Sequence, residues 1–294
     1  MPPTYWSHKS RREWLRMAGL SLFASPALLK AVEPKVSTPS FNTLTEQEEI
    51  ALGRKFAAQY EKNVQILAIP AIDAYLNGIM RQLGNASQKP SWPYRMKVVN
   101  TSDINASAVP GGALYVQRGL LEFVDDENEM VGAMAHEVGH VVARHTTNQL
   151  MAAFLARNLY EKVKKNLMLE NTIVEQIIEA LGGPIVMLAQ LKYSRENESE
   201  ADLLGFYEMY RAGWHPNGLL KFFLRLQQIE GRQTALDVML SDHPATAERA
   251  RVLRNELTVV KIAAPMRVQS PQFLALKLAL KALPPAPKAP PKKQ

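Results

Sequence analysis

Cysteine is absent from the 294 residues of the sequence. Disulfide bonds, thiolate zinc sites and cysteine nucleophiles are therefore excluded, and any site chemistry must use other side chains. The remaining composition is ordinary for a globular protein, since 47% of the residues are hydrophobic and 21% are charged. A chain of this length is ample for one sizeable domain.

An excess of basic residues is also missing from the body of the chain, although the formal net charge is +7. The excess lies at the two ends, because residues 1–31 carry five basic residues and one acidic residue, and residues 288–294 carry three lysines. The residues between these segments are balanced in charge, and they contain no basic helix or aromatic ladder. We therefore expect no nucleic-acid partner.

Long apolar runs are lacking as well, because the apolar stretch at 17–29 is shorter than the roughly 20 residues of a membrane-spanning helix. It follows residues 10–16 (SRREWLR), in which a serine precedes paired arginines and an apolar pair comes soon after. This order resembles a twin-arginine export signal. We expect residues 1–31 to form such a signal, and a basic, disordered N-terminus is the alternative.

Such a signal would determine where the protein works. The two candidate cleavage sites, at 25–27 (SPA) and 29–31 (LKA), both match the small-residue pattern imperfectly. The expected location is therefore the periplasm or the outer face of the membrane, with a membrane tether if the signal is not cleaved.

Composition divides the remaining residues into three segments. Residues 32–44 form a linker rich in proline, serine and threonine, and residues 45–260 form the main domain. Residues 261–294 form a C-terminal extension that ends in a tail rich in proline and lysine, which we expect to be disordered.

The extension contains one regular stretch, at 273–283, in which Lys277 and Lys281 would share one face of a helix. A basic amphipathic helix of this kind can make a peripheral contact with a membrane surface. A buried C-terminal helix or strand is the open alternative.

Helix signals dominate the main domain. Thr45 and Glu48 match a capping box, which predicts a helix that runs to about Glu61. Strands are predicted at Tyr94–Val99 and Ala113–Gln117. Further helices are predicted at about 72–83, 127–145, 147–168, 171–191, 193–212, 216–229 and 244–256. The expected fold class is mainly α with a small β-sheet (α+β).

The main chemical signal is the sequence AHEVGHV at 135–141. His136 and His140 are four residues apart on a predicted helix, so both imidazoles leave the same face and can bind one metal ion. Glu137 lies between them, where it can take a proton from the attacking water and later pass it to the leaving amine. The apolar flanks argue against the alternative, a helix with two surface histidines. Zinc is the natural metal for such ligands.

A third ligand is expected in the stretch YSRENESEAD at 193–202. Glu198 and Asp202 are four residues apart on a predicted helix. One carboxylate can bind zinc while the other accepts the distant N–H of a ligand histidine, and the spacing alone does not assign the two roles. We interpret Glu196 and Glu200 as a solvated, acidic face of the same helix.

Several further segments accompany these two motifs. In chain order, the whole series is NA at 105–106, VPGG at 109–112, GLL at 119–121, HEVGH at 136–140, His145, SRENESEAD at 194–202, HP at 243–244 and Arg249. The series resembles the gluzincin metallopeptidases that include the CaaX prenyl protease, HtpX and BepA. The resemblance covers residues 45–256, and it implies a zincin-type fold with the HEVGH motif on a central helix and an edge strand beside the cleft.

The resemblance also implies roles for individual residues. His136, His140 and Glu198 would bind one zinc ion per chain, and Asp202 would support them without touching the metal. Asn105 would lie with Ala106 in the edge strand beside the cleft, where an extended substrate can pair its backbone.

Two residues near the end of the main domain gain roles from the resemblance alone. His243 would lie near the metal, where it either stabilises the oxyanion of the transition state or occupies the open position of the zinc in a resting state. Arg249 would pair with an active-site carboxylate or help to stabilise the oxyanion. We interpret His145 as structural.

The expected function is that of a zinc-dependent endopeptidase in envelope protein quality control, acting on unfolded or misassembled envelope proteins. The sequence shows neither the membrane spans of the CaaX prenyl protease and HtpX nor the helical repeat domain of BepA. It therefore resembles a soluble, exported branch, and any partner shared with BepA stays open. The alternative is a chaperone-like binder whose zinc site is held closed by His243. The sequence predicts no particular oligomeric state.

Overall fold

The structure, a computed structural model, describes residues 34–36, 38–165, 173–180, 192–229, 243, 247–260, 262 and 265–288. The export signal predicted at 1–31 lies outside these residues, as do parts of the helices predicted at 147–168 and 171–191 and the last six residues of the tail. The division into linker, main domain and extension stays a prediction.

Ten α-helices and three β-strands lie within the described residues. The helices are α1 (Glu46–Tyr60), α2 (Pro70–Ala86), α3 (Arg118–Phe123), α4 (Glu127–Val142), α5 (His145–Lys165), α6 (Ile173–Ala180), α7 (Arg195–Arg211), α8 (Asn217–Ile229), α9 (Ala247–Val259) and α10 (Pro271–Lys281). The strands are β1 (Arg95–Val99), β2 (Ala106–Ala108) and β3 (Ala113–Gln117). The prediction of a mainly α fold with a small sheet is confirmed.

Most predicted elements occur within a few residues of their expected bounds. The capping box of α1 is present, because the Thr45 hydroxyl accepts the Glu48 amide at 3.2 Å and the Glu48 carboxylate accepts the Thr45 amide at 2.8 Å. The helix predicted at 127–145 ends earlier, at Val142, since Arg144 adopts a left-handed φ of 58°. The six-residue helix α3 is not predicted, because it is too short to show a helical period.

The sheet has the strand order β1-β3-β2, so β2 lies at an edge, as the resemblance implies. β1 runs parallel to β3, with Arg95 opposite Ala113, whereas β2 runs antiparallel to β3, with Ala106 opposite Val116. β2 also packs against α4, the helix that carries the HEVGH motif. The edge strand therefore lies beside the helix of the predicted metal site.

α4 is the central helix, since all of its residues are buried and both α7 and α8 pack against it. Two glycines let the backbones of α4 and α7 approach closely. A Cβ at Gly139 would lie 2.5 Å from the carbonyl oxygen of Ala201, and a Cβ at Gly205 would lie 2.9 Å from the carbonyl carbon of Ala135. This approach brings the HEVGH motif directly against the first turns of α7.

The C-terminal helix α10 packs on the main body of the protein. Three of its large apolar residues, Phe273, Leu276 and Leu280, are buried, whereas Leu274 and Leu278 are exposed. The ammonium group of Lys277 donates to three carbonyl oxygens at and beyond the end of α3, at 2.7–3.1 Å, and burial lowers the pKa of this lysine. The packing agrees with the buried-helix alternative for this stretch. No helix in the described part of the chain combines the length and apolar character needed to cross a bilayer.

Candidate active site and metal centre

The polar side chains of the HEVGH motif are buried together. His136, Glu137 and His140 expose 2%, 2% and 0% of their surface. The Nε2 atoms of the two histidines are 3.0 Å apart. Their four-residue spacing on α4 therefore brings the two imidazoles to one point, as helical periodicity predicts.

α7, capped at its N-terminus by Ser194, brings two carboxylates to the same point. Glu198 Oε1 lies 3.3 Å from His140 Nε2, and Glu198 Oε2 lies 3.5 Å from His136 Nε2. Asp202, one turn further along, has its Oδ1 atom 2.9 Å from His136 Nδ1. The spacing does not distinguish the positions of the two carboxylates, but the structure does. Glu198 faces the Nε2 atoms of both histidines, and Asp202 faces the Nδ1 atom of His136.

His243 reaches the same cluster from a distant part of the chain. Its Nδ1 atom lies 2.9 Å from Glu198 Oε1 and 3.3 Å from His136 Nε2. Its Nε2 atom lies 3.6 Å from Glu137 Oε1. His243 therefore lies beside the residues that are predicted to bind the metal.

The donor atoms of the cluster fit a single metal ion. One donor atom from each of His136, His140, Glu198 and His243 lies within 4.8 Å of the other three, and all four residues are buried. Imidazole nitrogen and carboxylate oxygen are donors that zinc takes in proteins, in sets of three or four. In the described part of the chain this is the only group of that kind.

The ionisation of the cluster also suits a cation. Burial would raise the pKa of Glu198, but the nearby His243 and His136 hold it far below its usual range. Burial lowers the pKa of His140 well below its usual value. For His136, burial opposes protonation, but the adjacent Glu198 and Asp202 outweigh it and raise the pKa to about 9. A carboxylate and a neutral imidazole are the forms that bind metal, so a metal ion at His136 would take the place of the proton that Glu198 and Asp202 favour there.

Arg249 of α9 pairs with both carboxylates of α7. Its guanidinium donates two hydrogen bonds to Asp202, each of 2.7 Å, and its Nη1 atom lies 2.5 Å from Glu198 Oε2. Burial alone would raise the pKa of Asp202, but the charge of Arg249 holds it below its usual value. Of the two roles expected for Arg249, this geometry agrees with pairing to active-site carboxylates.

The two residues predicted to bind substrate lie at the start of the edge strand. Asn105 is buried, and its side-chain oxygen accepts the Ala106 amide at 2.9 Å. Ala106 begins the pairing of β2 with β3. Within the described ranges no strand pairs with the second edge of β2.

Three residues that the sequence did not assign to the site lie behind His140: His145 and Tyr193 contact its ring, and Glu200 contacts His145. His145 Nδ1 is 3.0 Å from His140 Nδ1, and His145 Nε2 is 3.2 Å from Glu200 Oε2. The ring centroids of Tyr193 and His140 are 4.0 Å apart. Glu200 is partly exposed and also contacts His145, whereas Glu196 is exposed as expected. Helical spacing could not reveal these contacts, because the chain changes direction between α4 and α5.

Comparisons with known proteins agree with this geometry. The pattern of Peptidase family M48 matches residues 66–257. The chain is 25% identical over 231 residues to the beta-barrel assembly-enhancing protease of Yersinia pestis, which covers 78% of this chain and 48% of that protein. It is 29% identical over 217 residues to metalloprotease YcaL of Escherichia coli, covering 73% of this chain and 82% of YcaL. It is 32% identical over 185 residues to metalloprotease LoiP of the same organism, covering 62% and 69%.

The chain thus spans about half the length of the beta-barrel assembly-enhancing proteases that it matches. The residues matched by the family pattern include Glu137 and all four residues of the donor cluster. The resemblance to gluzincin metallopeptidases is confirmed. Because the pattern matches more than half of the sequence, the chain belongs to peptidase family M48.

Proposed function

We propose that the protein is a zinc-dependent endopeptidase in which His136, His140 and Glu198 bind one zinc ion and Glu137 acts as the general base. The observation that carries this proposal is the buried group of four donor atoms, within 4.8 Å of one another, beside the Glu137 carboxylate. Membership of peptidase family M48 supports the reaction class.

The reaction would divide the work between the metal and the protein. Zinc, when bound, supplies a Lewis acid that polarises the scissile carbonyl and lowers the pKa of the attacking water. Glu137 accepts the proton of this water and then donates it to the amine of the leaving peptide. Asp202 accepts the Nδ1–H of His136, which leaves the Nε2 atom free to bind the metal. Arg249 balances the charges of the two carboxylates on α7.

We propose unfolded or misassembled envelope proteins as substrates. An unfolded segment can add its backbone to the second edge of β2, beside Asn105 and Ala106. The name of the Yersinia pestis relative, a beta-barrel assembly-enhancing protease, supports an envelope substrate.

Export to the periplasm or the outer face of the membrane belongs to the same proposal. A receptor that recognises the arginine pair should fail when both arginines become lysine, whereas a route that depends only on charge and hydrophobicity should tolerate the change. Arg11→Lys combined with Arg12→Lys is therefore expected to retain the precursor in the cytoplasm, as measured by cell fractionation. Normal appearance outside the cytoplasm would contradict the twin-arginine prediction and leave the peptidase proposal intact.

A second candidate function is a chaperone-like binder whose zinc site is closed by His243. The specific observation in its favour is that His243 Nδ1 lies 2.9 Å from Glu198 Oε1 and 3.3 Å from His136 Nε2, within the ligand set itself. A histidine in this position would compete with the substrate for the metal. The general base Glu137 argues against it, because a protein that only binds has no need of one.

Casein degradation separates the two candidates. We expect the purified chain to contain about one zinc ion and to degrade casein. Activity should disappear when a chelator removes the metal and return when zinc is added back. Degradation that is insensitive to the chelator would contradict the proposed reaction. An absence of degradation in every state, combined with suppression of casein aggregation, would favour the binder.

A further inference from the structure

The ring of His140 has a second set of partners behind it, formed by His145 and Glu200. We infer that these two residues are positioning residues, which fix the orientation and the tautomer of His140 through a relay of two hydrogen bonds. The inference rests on the proposed function only in requiring that His140 is a metal ligand.

Geometry supplies the first argument. His145 Nδ1 lies 3.0 Å from His140 Nδ1, on the side of the ring that faces away from the metal donors. The opposite nitrogen of His145, Nε2, lies 3.2 Å from Glu200 Oε2. His145 and His140 are both buried, whereas the carboxylate of Glu200 is partly exposed.

The protons of this relay can be assigned in one consistent way. His140 must present an unprotonated Nε2 atom to a metal, so its Nδ1 atom carries the proton and donates it to His145 Nδ1. His145 is then protonated at Nε2, and this N–H donates to the Glu200 carboxylate. Each ring nitrogen then has one role, as a donor or as an acceptor, and the relay ends on the carboxylate of Glu200. Such outer partners are what metal-binding histidines usually require.

The turn between α4 and α5 places His145 against His140. Arg144, which has a left-handed φ of 58°, is held by an ion pair with Glu49 of α1 at 2.5 Å and by a 2.7 Å hydrogen bond to the Leu44 carbonyl. The hydroxyl of Thr147 donates to the other oxygen of Glu49. These contacts fix the turn from the side of α1, so the direction of the chain at His145 is determined by buried groups.

Tyr193 fixes the same turn from the opposite side. Its hydroxyl lies 2.8 Å from the Thr146 hydroxyl, and its ring packs on the ring of His140 with centroids 4.0 Å apart. The His140 ring is therefore held in its plane by Tyr193 and along its edge by His145. No other role for His145 is needed to explain its burial.

The two histidines of α4 that we propose as metal ligands are therefore oriented by different hydrogen-bond partners. His136 is held directly by Asp202, which is clamped by the two hydrogen bonds of Arg249. His140 is held through His145, which in turn contacts the partly exposed carboxylate of Glu200. The support of His140 can therefore be weakened without leaving a buried charge unpaired.

Zinc affinity of the full chain, measured by competition with a chelator at fixed pH, tests the relay. His145→Phe keeps the volume of the ring but removes both nitrogens, so we expect affinity to fall about 10–100-fold. His145→Asn keeps an acceptor near the Nδ1 position and should recover part of the loss. Glu200→Gln keeps an acceptor without charge and should have a smaller effect. Glu196→Gln, an exposed change on the same helix, is the matched control and should leave affinity unchanged.

Two further measurements separate positioning from loss of packing. The absorption spectrum of the cobalt-substituted protein should shift in His145→Phe and move back towards the wild type in His145→Asn. The melting temperature of the metal-free protein should change little in either variant.

Wild-type zinc affinity and an unshifted cobalt spectrum in His145→Phe would overturn the inference. The inference would also be overturned if His145→Phe and His145→Asn lost zinc affinity equally and both lowered the melting temperature of the metal-free protein. A wild-type chain that binds no zinc would instead contradict the proposed metal site, and the inference would fail with it.

Discussion

α4 forms one wall of the site, α7 and α9 form the other, and the two walls differ in chemistry. α4 is buried along its whole length and contributes two imidazoles and the Glu137 carboxylate. α7 contributes Glu198 and Asp202, and α9 contributes Arg249, which pairs with both. The groups proposed to react are thus concentrated on one helix, whereas the charges that orient them come from parts of the chain that are distant in sequence.

This difference between the two walls predicts two kinds of effect for substitutions in the site. A change on the α4 wall removes a donor or the base but leaves the pairing of Arg249 with the two carboxylates of α7 in place. A change on the charged wall also affects stability, because a buried charge that loses its partner is strongly destabilising. Glu198 is the exception on the charged wall, since we propose it as a metal ligand in its own right.

Of the substitutions that test this comparison, Glu198→Ala is expected to have the largest effect on zinc content and activity. Zinc should be lost together with activity, because two histidines alone do not complete a site of three protein ligands. His136→Ala and His140→Ala on the opposite wall should behave alike. Zinc content after dialysis is the measurement, and Glu196→Ala on the exposed part of α7 is the control. Wild-type zinc occupancy in Glu198→Ala would show that the third ligand lies elsewhere.

A smaller but still large effect is expected for Arg249→Met. The substitution leaves the buried carboxylates of Glu198 and Asp202 without their shared guanidinium, which should lower the free energy of unfolding by about 3–5 kcal/mol. Urea unfolding of the metal-free protein measures this, with Arg254→Met, an exposed change on the same helix, as the control. Equal stability of the two variants would remove the distinction between the walls.

The smallest of these effects is expected for Asp202→Asn. The amide can still accept the Nδ1–H of His136, but it no longer carries the charge that strengthens this bond, so zinc affinity should fall about 10–100-fold. Chelator competition measures the loss, with Glu196→Gln as the control. If zinc affinity stays at the wild-type value, Asp202 contributes to the stability of the fold and not to metal binding.

The sequence alone predicts the parts of the site that depend on helical spacing. His136 with His140, and Glu198 with Asp202, share helix faces because each pair is four residues apart. The positions of His243 and Arg249 are not predictable from spacing, because contacts over such separations depend on tertiary packing, such as that of α7 on α4 and of α9 on α7 and α8. They were expected only through the resemblance.

The contacts of His145 and Glu200 could not be predicted in either way. They depend on the left-handed backbone of Arg144, which ends α4 and reverses the chain at His145. An arginine carries no sequence signal for that conformation, since glycine and asparagine are the usual residues there. The side chain of Arg144 pairs with the buried Glu49 on α1, which is far away in sequence. The edge strand β2 has only three residues, too few to show an alternating pattern.

Zinc content and casein turnover of Glu137→Gln, measured on the same preparation, test the central claim most directly. The substitution keeps the size of the side chain and leaves the ligands His136, His140 and Glu198 in place, but it removes the group that accepts and delivers the proton. The account predicts about one zinc ion per chain, as in the wild type, with turnover reduced by several orders of magnitude. Wild-type turnover in Glu137→Gln with zinc bound would contradict the proposed mechanism.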